Sequence, residues 1–284
     1  MARSLDQAVA AGVAALVRLQ AADGSFALRT REGTGPWKPC AALFSTASIL
    51  LAAGRALPRR TVEHAADYLR QCRRPDGLWE FDPALRIPPD ADSTSCTLAA
   101  LSIHGDAASF AEGAPLLRSF WRPDGGPFMT WHRATGAWAE RNRDDAVVNA
   151  NVVFALASLG TPASAEELAA VRRLMRESAQ RARYYLAPSA IAYAARRAGI
   201  GLDALPAAAA ARPAANDLLA SAQWLCGMRI ADAALVAGLL AAQREDGLWP
   251  IHPWCTAAGN PTPVWGSEAV TTAYALEALT ASHL

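Results

Sequence analysis

Two short stretches of this sequence concentrate the side chains that can do chemistry. Residues 90–94 read DADST and set the carboxyl groups of Asp90 and Asp92 two positions apart; residues 144–151 read DDAVVNAN and add Asp144, Asp145, Asn149 and Asn151. Two neighbouring carboxyl groups cannot both ionise cheaply, so such a pair retains one proton. Asparagine is a poor residue inside an apolar helical run, because its side chain competes for the backbone. Asn149 and Asn151 therefore suggest polar work in the interior. Each acid also has a plainer reading. Asp92, Asp144, Asp145 and Glu268 stand where helices begin, and Asp92 in particular suits the N-cap of the helix after it.

The elements that would position these groups are helices. Hydrophobic residues make up 52% of the 284-residue chain and charged residues 19%. Much of the apolar material is alanine and leucine, the best helix formers, and alternating β-branched runs are nearly absent. Similar segments recur. LQAADGSF (Gln20, Asp23, Gly24, Phe26), RRPDGLW (Asp76, Gly77, Trp79), WRPDGGPF (Asp124, Gly125, Phe128) and AQREDGLW (Gln243, Asp246, Gly247, Trp249) each close an apolar helix pattern. Glycine there can take the left-handed conformation that ends a helix, the aromatic can pack back on it, and the Gln or Arg can bond its last carbonyls. A second helix follows each turn, over Ser45–Ala53, Asp92–Ile103, Asp145–Leu159 and Ser267–Leu279. Weaker pairs are residues 164–179 with Ser189–Arg197, and Leu202–Ala210 with Asp217–Met228, where Pro206 weakens the first member. Six pairs at about 47 residues each fit a helical repeat. The expectation is an all-α fold, an (α/α)6 toroid forming one domain over residues 1–284.

A ring of such pairs has a geometric consequence. All second helices run the same way, so their N-termini meet at one mouth. Asp92, Asp144, Asp145 and Glu268 would then face a shared cavity beside several positive dipole ends. Such a mouth suits a substrate anion, or a diphosphate held through Mg2+ by the carboxylates. Tyr184 and Tyr185 fall at the same level. The long loops between first and second helices carry Trp37, Trp131, Trp138, Trp254 and Trp265, with Trp79 beside one of them, out of nine tryptophans in all.

The Gln-to-Trp segments resemble the QW repeats of squalene and oxidosqualene cyclases, most closely at Gln71–Trp79 and Gln243–Trp249; Phe replaces Trp at Phe26, and Arg118 stands for Gln in the third copy. DADST resembles the DxDD(T) motif of class II terpene cyclases, with Ser93 in the place of the last aspartate. The resemblance implies that Asp92 protonates an alkene or epoxide, that Asp90 orients it, and that aromatic faces shelter the resulting cation. No cofactor is required by that chemistry. The resemblance also implies a second helical domain to close the cavity. This chain has room for one, so its own loops, a second copy of itself or a partner protein must do so.

Other classes are disfavoured. A formal net charge of +1 without a basic stripe argues against nucleic acid. No apolar run reaches the roughly 20 residues of a membrane span. The first twenty residues read as an amphipathic helix carrying Val9, Val13, Leu16, Val17 and Leu19 rather than as a secretory leader. Five scattered cysteines point to a reduced, cytoplasmic chain. His252 and Cys255 lack a second ligand pair with zinc spacing. What the resemblance implies is a cyclase-like isomerase or lyase acting on a small prenyl or polyene substrate. Two alternatives stay open: a different small-molecule enzyme using Asp144, Asp145, Asn149 and Asn151, or a toroid that binds a peptide or protein without chemistry.

Overall fold

In the computed structural model, residues 3–82, 85, 87–105, 110, 112–178, 182–257 and 262–281 are described. Six helices form an inner ring: α2 (Leu43–Ala53), α4 (Ala91–His104), α7 (Ala146–Ser158), α9 (Ser189–Arg197), α11 (Leu218–Met228) and α13 (Glu268–Ala281). Each packs against the next in chain order, and α13 packs back on α2, so the ring is closed. Except for α9, which ends in the arginine pair Arg196 and Arg197, these helices have no single apolar stripe because they are covered on most sides. In α4 every residue from Ala91 to Leu101 is buried.

Outer helices α1 (Leu5–Leu19), α3 (Arg59–Gln71), α5 (Gly113–Arg118), α8 (Ala165–Glu177) and α12 (Ala233–Ala242) pack around the ring. They are one-sided: α3 buries Thr61, Val62, Ala65, Ala66 and Leu69 and exposes the rest of its polar face. The first member of the fifth pair is broken, as Pro206 foretells. A 3-10 turn (Leu202–Ala204) precedes it and the four-residue α10 (Ala207–Ala210) follows it. The fourth pair's first helix ends at Glu177, short of the expected boundary at residue 179, which lies outside the described residues. A short α6 (Ala137–Arg141) lies in the third pair's long loop.

The repeated Asp–Gly turns are built alike. Gly24, Gly77, Gly125 and Gly247 have φ of 91°, 84°, 75° and 87°, the left-handed region that glycine enters without a Cβ penalty. In each turn the aspartate side chain accepts the N–H two residues on, from Ser25, Leu78, Gly126 and Leu248 at 3.0–3.2 Å. The glutamines do something other than bond the last carbonyls of their own helix. Gln20 donates to the Gly24 and Thr61 carbonyls and Gln243 to those of Gly247 and Ala8, tying each turn to the next outer helix. In the second copy Arg73, not Gln71, bonds the Gly77 carbonyl. Trp79 and Trp249 are fully buried, and their indoles donate back to Leu69 and Leu239 at 2.8 and 2.7 Å.

Four short strands, within segments read from sequence as loops, depart from a purely helical picture. β1 (Leu28–Arg31), β2 (Lys38–Cys40), β3 (Pro253–Thr256) and β4 (Val264–Gly266) form an antiparallel sheet in the order β2-β1-β4-β3. Arg29 lies opposite Gly266 and Thr30 opposite Trp265, so the loops of the first and last pairs are joined over the ring. Among the described residues no helix is long and apolar enough to cross a membrane.

Candidate active site

The N-terminal ends of three inner helices, α2, α4 and α7, open onto a cavity of about 590 Å3, and Asp90 and Asp92 both lie in its wall. The N-cap of α4 is Asp90, not Asp92. The Asp90 backbone is extended, and its Oδ1 accepts the Ser93 N–H at 2.7 Å. Asp92 follows in the first turn, free of capping duty. Its Oδ1 accepts from the Asn151 amide of α7 at 2.7 Å, and its Oδ2 accepts from the Tyr185 hydroxyl at 2.5 Å. The Cys96 thiol, one turn along α4, lies 3.9 Å from Oδ1. Two donors from two other elements thus hold the plane of this one carboxyl group.

Burial dominates the electrostatics. It pushes the Asp92 carboxyl up to about 6, against the lowering effect of the Tyr185 and Asn151 hydrogen bonds. Burial also raises Asp90, to about 7; the Ser93 amide opposes this and the charge of Asp92 adds to it. The Asp90 Oδ2 is buried without a hydrogen-bond partner. Both carboxyl groups are thus held above the ordinary carboxylate range, Asp90 in part by the charge of Asp92.

Asp145 caps α7 and also holds the backbone just before Tyr185. Its Oδ1 accepts from Val147 and Val148 at 2.8 and 3.1 Å, while its Oδ2 accepts from the backbone amides of Arg183 and Tyr184. The segment carrying Tyr185 is also bridged to Cys255, with Thr256 N–H donating to the Tyr184 carbonyl at 2.8 Å. Asn142, which sequence reasoning passed over, holds the Trp131 backbone through both of its amide atoms.

The two asparagines of α7 separate. Asn151 bonds Asp92. Asn149 accepts the Phe128 N–H at 2.8 Å and donates to the Phe128 and Asp145 carbonyls. Thr46, Thr94 and Thr272 accept the same N–H, from Phe26, Trp79 and Trp249, in the other repeats. Asn149 is therefore a repeat brace, and its polar atoms are not presented to the cavity.

Aromatic rings make up much of the remaining wall. Phe44, Phe81, Trp131, Trp138, Tyr184, Tyr185 and Trp265 line it. Phe81 sits edge-on to Trp265 at 5.3 Å, and Trp131 edge-on to Trp138 at 4.9 Å. Trp254 is buried behind the wall, stacked on Phe44 at 4.9 Å. Phe44 and Phe81 escaped a sequence reading that looked for tryptophan and tyrosine; the position of Phe44 at the start of an inner helix was the available signal. The basic residues Arg143 and Arg183, with Glu140, also line the cavity and were not expected there.

Several expected site residues stand elsewhere. Trp79 is a core residue of its turn, as described above. Trp37 packs against the Arg31 guanidinium beside the sheet, 4.6 Å from ring centre to Cζ. Glu268 is paired with Arg244 at 2.5 Å. Asp144 lies in a separate groove with Arg122 and Asp124. The N-terminal carboxylates therefore do not converge as a ring: Asp92 and Asp90 reach the cavity, while Asp144 and Glu268 do not. Among the described residues no group of three or more His, Cys, Asp or Glu side chains is arranged to hold a metal ion. That arrangement does not fit the expectation of Mg2+ held among these carboxylates.

No protein-family model matches the chain, and no curated protein matches it. Solved structures do. A protein from Actinoplanes superposes with a TM-score of 0.76 at 20% identity, covering 99% of this chain and 100% of the other. The type II terpene cyclase MstE from Scytonema superposes at 0.71 and 17% identity, covering 98% of this chain and 99% of that one. MstE variants also match in complexes with geranylgeranyl dihydroxybenzoate, its substrate, and merosterolic acid A, its product. An unsaturated glucuronyl hydrolase specific for heparin matches more loosely, at 0.56 and 11% identity. The chain thus has the α/α toroid fold, of the form found in a type II terpene cyclase.

Proposed function

We propose that this protein is a proton-initiated terpene cyclase acting on a polyprenyl chain folded inside the aromatic cavity. The observation that carries the reading is the Asp92 carboxyl: buried, lining an aromatic cavity, with both oxygens held by donors. The DADST segment that resembles the class II motif supplies this group, and the toroid shared with MstE supports the same reading.

The chemistry follows from the residues. Protonated Asp92 gives its proton to the terminal alkene carbon: the O–H bond breaks, a C–H bond forms and a tertiary carbocation remains. Tyr185 and Asn151 stabilise the carboxylate left behind, which makes the neutral acid stronger at the moment of transfer. Asp90, pushed up further by its burial, keeps a second full negative charge away from the acid. The faces of Phe44, Phe81, Trp131 and Trp265 stabilise the moving cation, and their bulk excludes water until ring closure is complete. Loss of a proton or capture of water then ends the sequence. The cavity volume falls within the ~300–1,000 Å3 of small-molecule sites.

The alternative that used Asp144, Asp145, Asn149 and Asn151 as one polar site gains no support, since Asp145 and Asn149 are occupied by backbone groups. The test is incubation of the purified chain with prenylated substrates of graded length, followed by mass and NMR analysis of products. Cyclic isomers or hydrates support the reading. Unchanged linear substrate across the whole series, from protein that is folded by circular dichroism, removes it.

A further inference from the structure

Behind the cavity, the middle of the ring is filled by aromatic side chains that the protonation chemistry does not use. Trp254, on β3, is 2% exposed. Its indole stacks on Phe44 with ring centres 4.9 Å apart and planes 10° apart, and it meets Tyr185 edge-on at 6.1 Å. Phe44 and Tyr185 line the cavity, and Trp254 does not. Away from the cavity Trp254 meets Tyr274 at 6.4 Å, and Tyr274 meets Tyr193 edge-on at 5.0 Å. Tyr274 stands midway along α13 and Tyr193 midway along α9. The aromatic column therefore runs from the cavity wall into the depth of the ring. The opening to solvent lies elsewhere, at Leu85, which lines the cavity and is 47% exposed.

Packing alone does not explain the indole. A buried tryptophan usually finds an acceptor for its N–H. Trp79, Trp224 and Trp249 do so, donating to the Leu69, Ala210 and Leu239 carbonyls at 2.8, 3.0 and 2.7 Å. Among the described residues the Trp254 Nε1 is buried with no hydrogen-bond partner. An unpaired buried N–H lowers stability, so phenylalanine or leucine would suit a purely structural core better. What the indole adds is a large, rigid apolar body. Its backbone is fixed as well. The Leu186 N–H donates to the Trp254 carbonyl at 3.1 Å and the Thr256 N–H to the Tyr184 carbonyl at 2.8 Å, which ties Trp254 to the segment carrying Tyr185. Tyr185 in turn donates to Asp92 at 2.5 Å. The wall that halts a ligand and the acid that protonates it thus share one support.

We propose that Trp254 is the end stop of the cavity: it holds Phe44 and Tyr185 as the inner wall and so sets which double bond of a prenyl chain meets Asp92. This rests on the cyclase reading and adds the determinant of chain register. With the stop in place, the terminal double bond lies at the acid. Without it the chain slides inward by one isoprene unit, which is no larger than the indole removed, and the next double bond takes that place. The π pair of this internal bond then receives the Asp92 proton. The O–H bond breaks, a C–H bond forms at an internal carbon, and a tertiary cation remains until it loses a proton. The prenyl group beyond it stays unreacted.

Binding and product structure test this separately. Isothermal titration calorimetry of the full chain uses the saturated alcohols of geraniol, farnesol, geranylgeraniol and geranylfarnesol length, each one isoprene unit longer than the last. In the native protein affinity should rise along the series and then fall by about tenfold at the first alcohol that overfills the cavity. In Trp254→Ala that fall should move one member further along. A prenylated substrate cyclised in D2O should carry deuterium at the terminal position when made by the native protein, and at the next internal position when made by the variant. A merely structural role for Trp254 would weaken every alcohol equally and leave the deuterium where it was. Should Trp254→Ala fail to fold, Trp254→Leu shortens the plug while keeping apolar bulk, and the first overlong alcohol should gain about threefold on its shorter neighbour. No binding of any alcohol, a native series without a length limit, a limit that stays in place in the folded variant, or deuterium that stays at the terminal position would each overturn the proposal. The two readings fail differently. Cyclic products with an unmoved length limit remove only the end stop, and a moved limit in a protein that makes no cyclic product removes only the proton-initiated chemistry.

Discussion

Replacing Asp90 by Asn isolates the charge at the mouth of α4 while keeping its cap, because the asparagine oxygen can still accept the Ser93 N–H. In the native protein burial raises the Asp90 carboxyl from 3.8 to about 7. The folded state therefore binds the proton more tightly than the unfolded chain, and the sign follows from linkage: stability is greatest below the unfolded value and is lost as pH rises through the folded one. Between pH 5 and pH 8 the folded group releases its proton while the unfolded group is already ionised. Integrating over that window gives a loss of roughly 2–3 kcal/mol assignable to Asp90. Asp90→Asn removes that dependence. The buried amide that replaces Oδ2 adds a constant penalty of about 1–3 kcal/mol, so the informative quantity is the change with pH, not the absolute difference. Urea melts of both proteins at pH 5, 6, 7 and 8 measure it. The variant should gain on the native protein steadily as pH rises, by roughly 2–3 kcal/mol over the window. A difference that stays flat across the series would mean that Asp90 ionises freely in the folded state, and the paired-carboxyl argument would fall with it.

Three further outcomes are expected. Tyr185→Phe and Asn151→Leu each remove a donor from the Asp92 carboxylate, and steady-state kinetics should show kcat reduced by about 10- to 100-fold with the pH limb displaced upward. Because Asp92 must carry its proton and sits at about 6, kcat in the native protein should fall as pH rises through about 6–7, the reverse of an enzyme that uses a carboxylate base. Asn149→Ala, which leaves the buried Phe128 N–H unpaired, should cost about 1–3 kcal/mol in a thermal or urea melt with little change in kcat; Asn149→Thr, the residue that braces three other repeats, should recover most of that stability.

Much of the ring was readable because its causes are local. An Asp–Gly pair after an apolar helical run needs a left-handed glycine and an Asx turn whatever surrounds it, and Pro206 breaks a helix on its own account. The two carboxyl groups at 90 and 92 were also found by local pattern, but their duties were not separable by it. Which aspartate caps α4 depends on where the helix starts by a single residue, finer than sequence periodicity resolves. Asn149 and Asn151 look alike in a string of residues; only the rotation of α7 turns one toward a backbone amide and the other toward Asp92. The sheet was missed because each strand is three or four residues long and β1 meets β4 from the opposite end of the chain. Glu268 and Asp144 were assigned to the cavity by their helix positions, and Arg244 and Arg122 lie near them from segments no local rule connects to the site.

Protonation by Asp92 is tested most directly by carrying out the reaction in D2O with a prenylated substrate and reading the product by mass and NMR. A cyclic product carrying one non-exchangeable deuterium at the carbon that was the terminal alkene position is expected, with no product from Asp92→Asn at any pH. A cyclic product without deuterium at that carbon, or an Asp92→Asn variant that cyclises at the native rate, would contradict it.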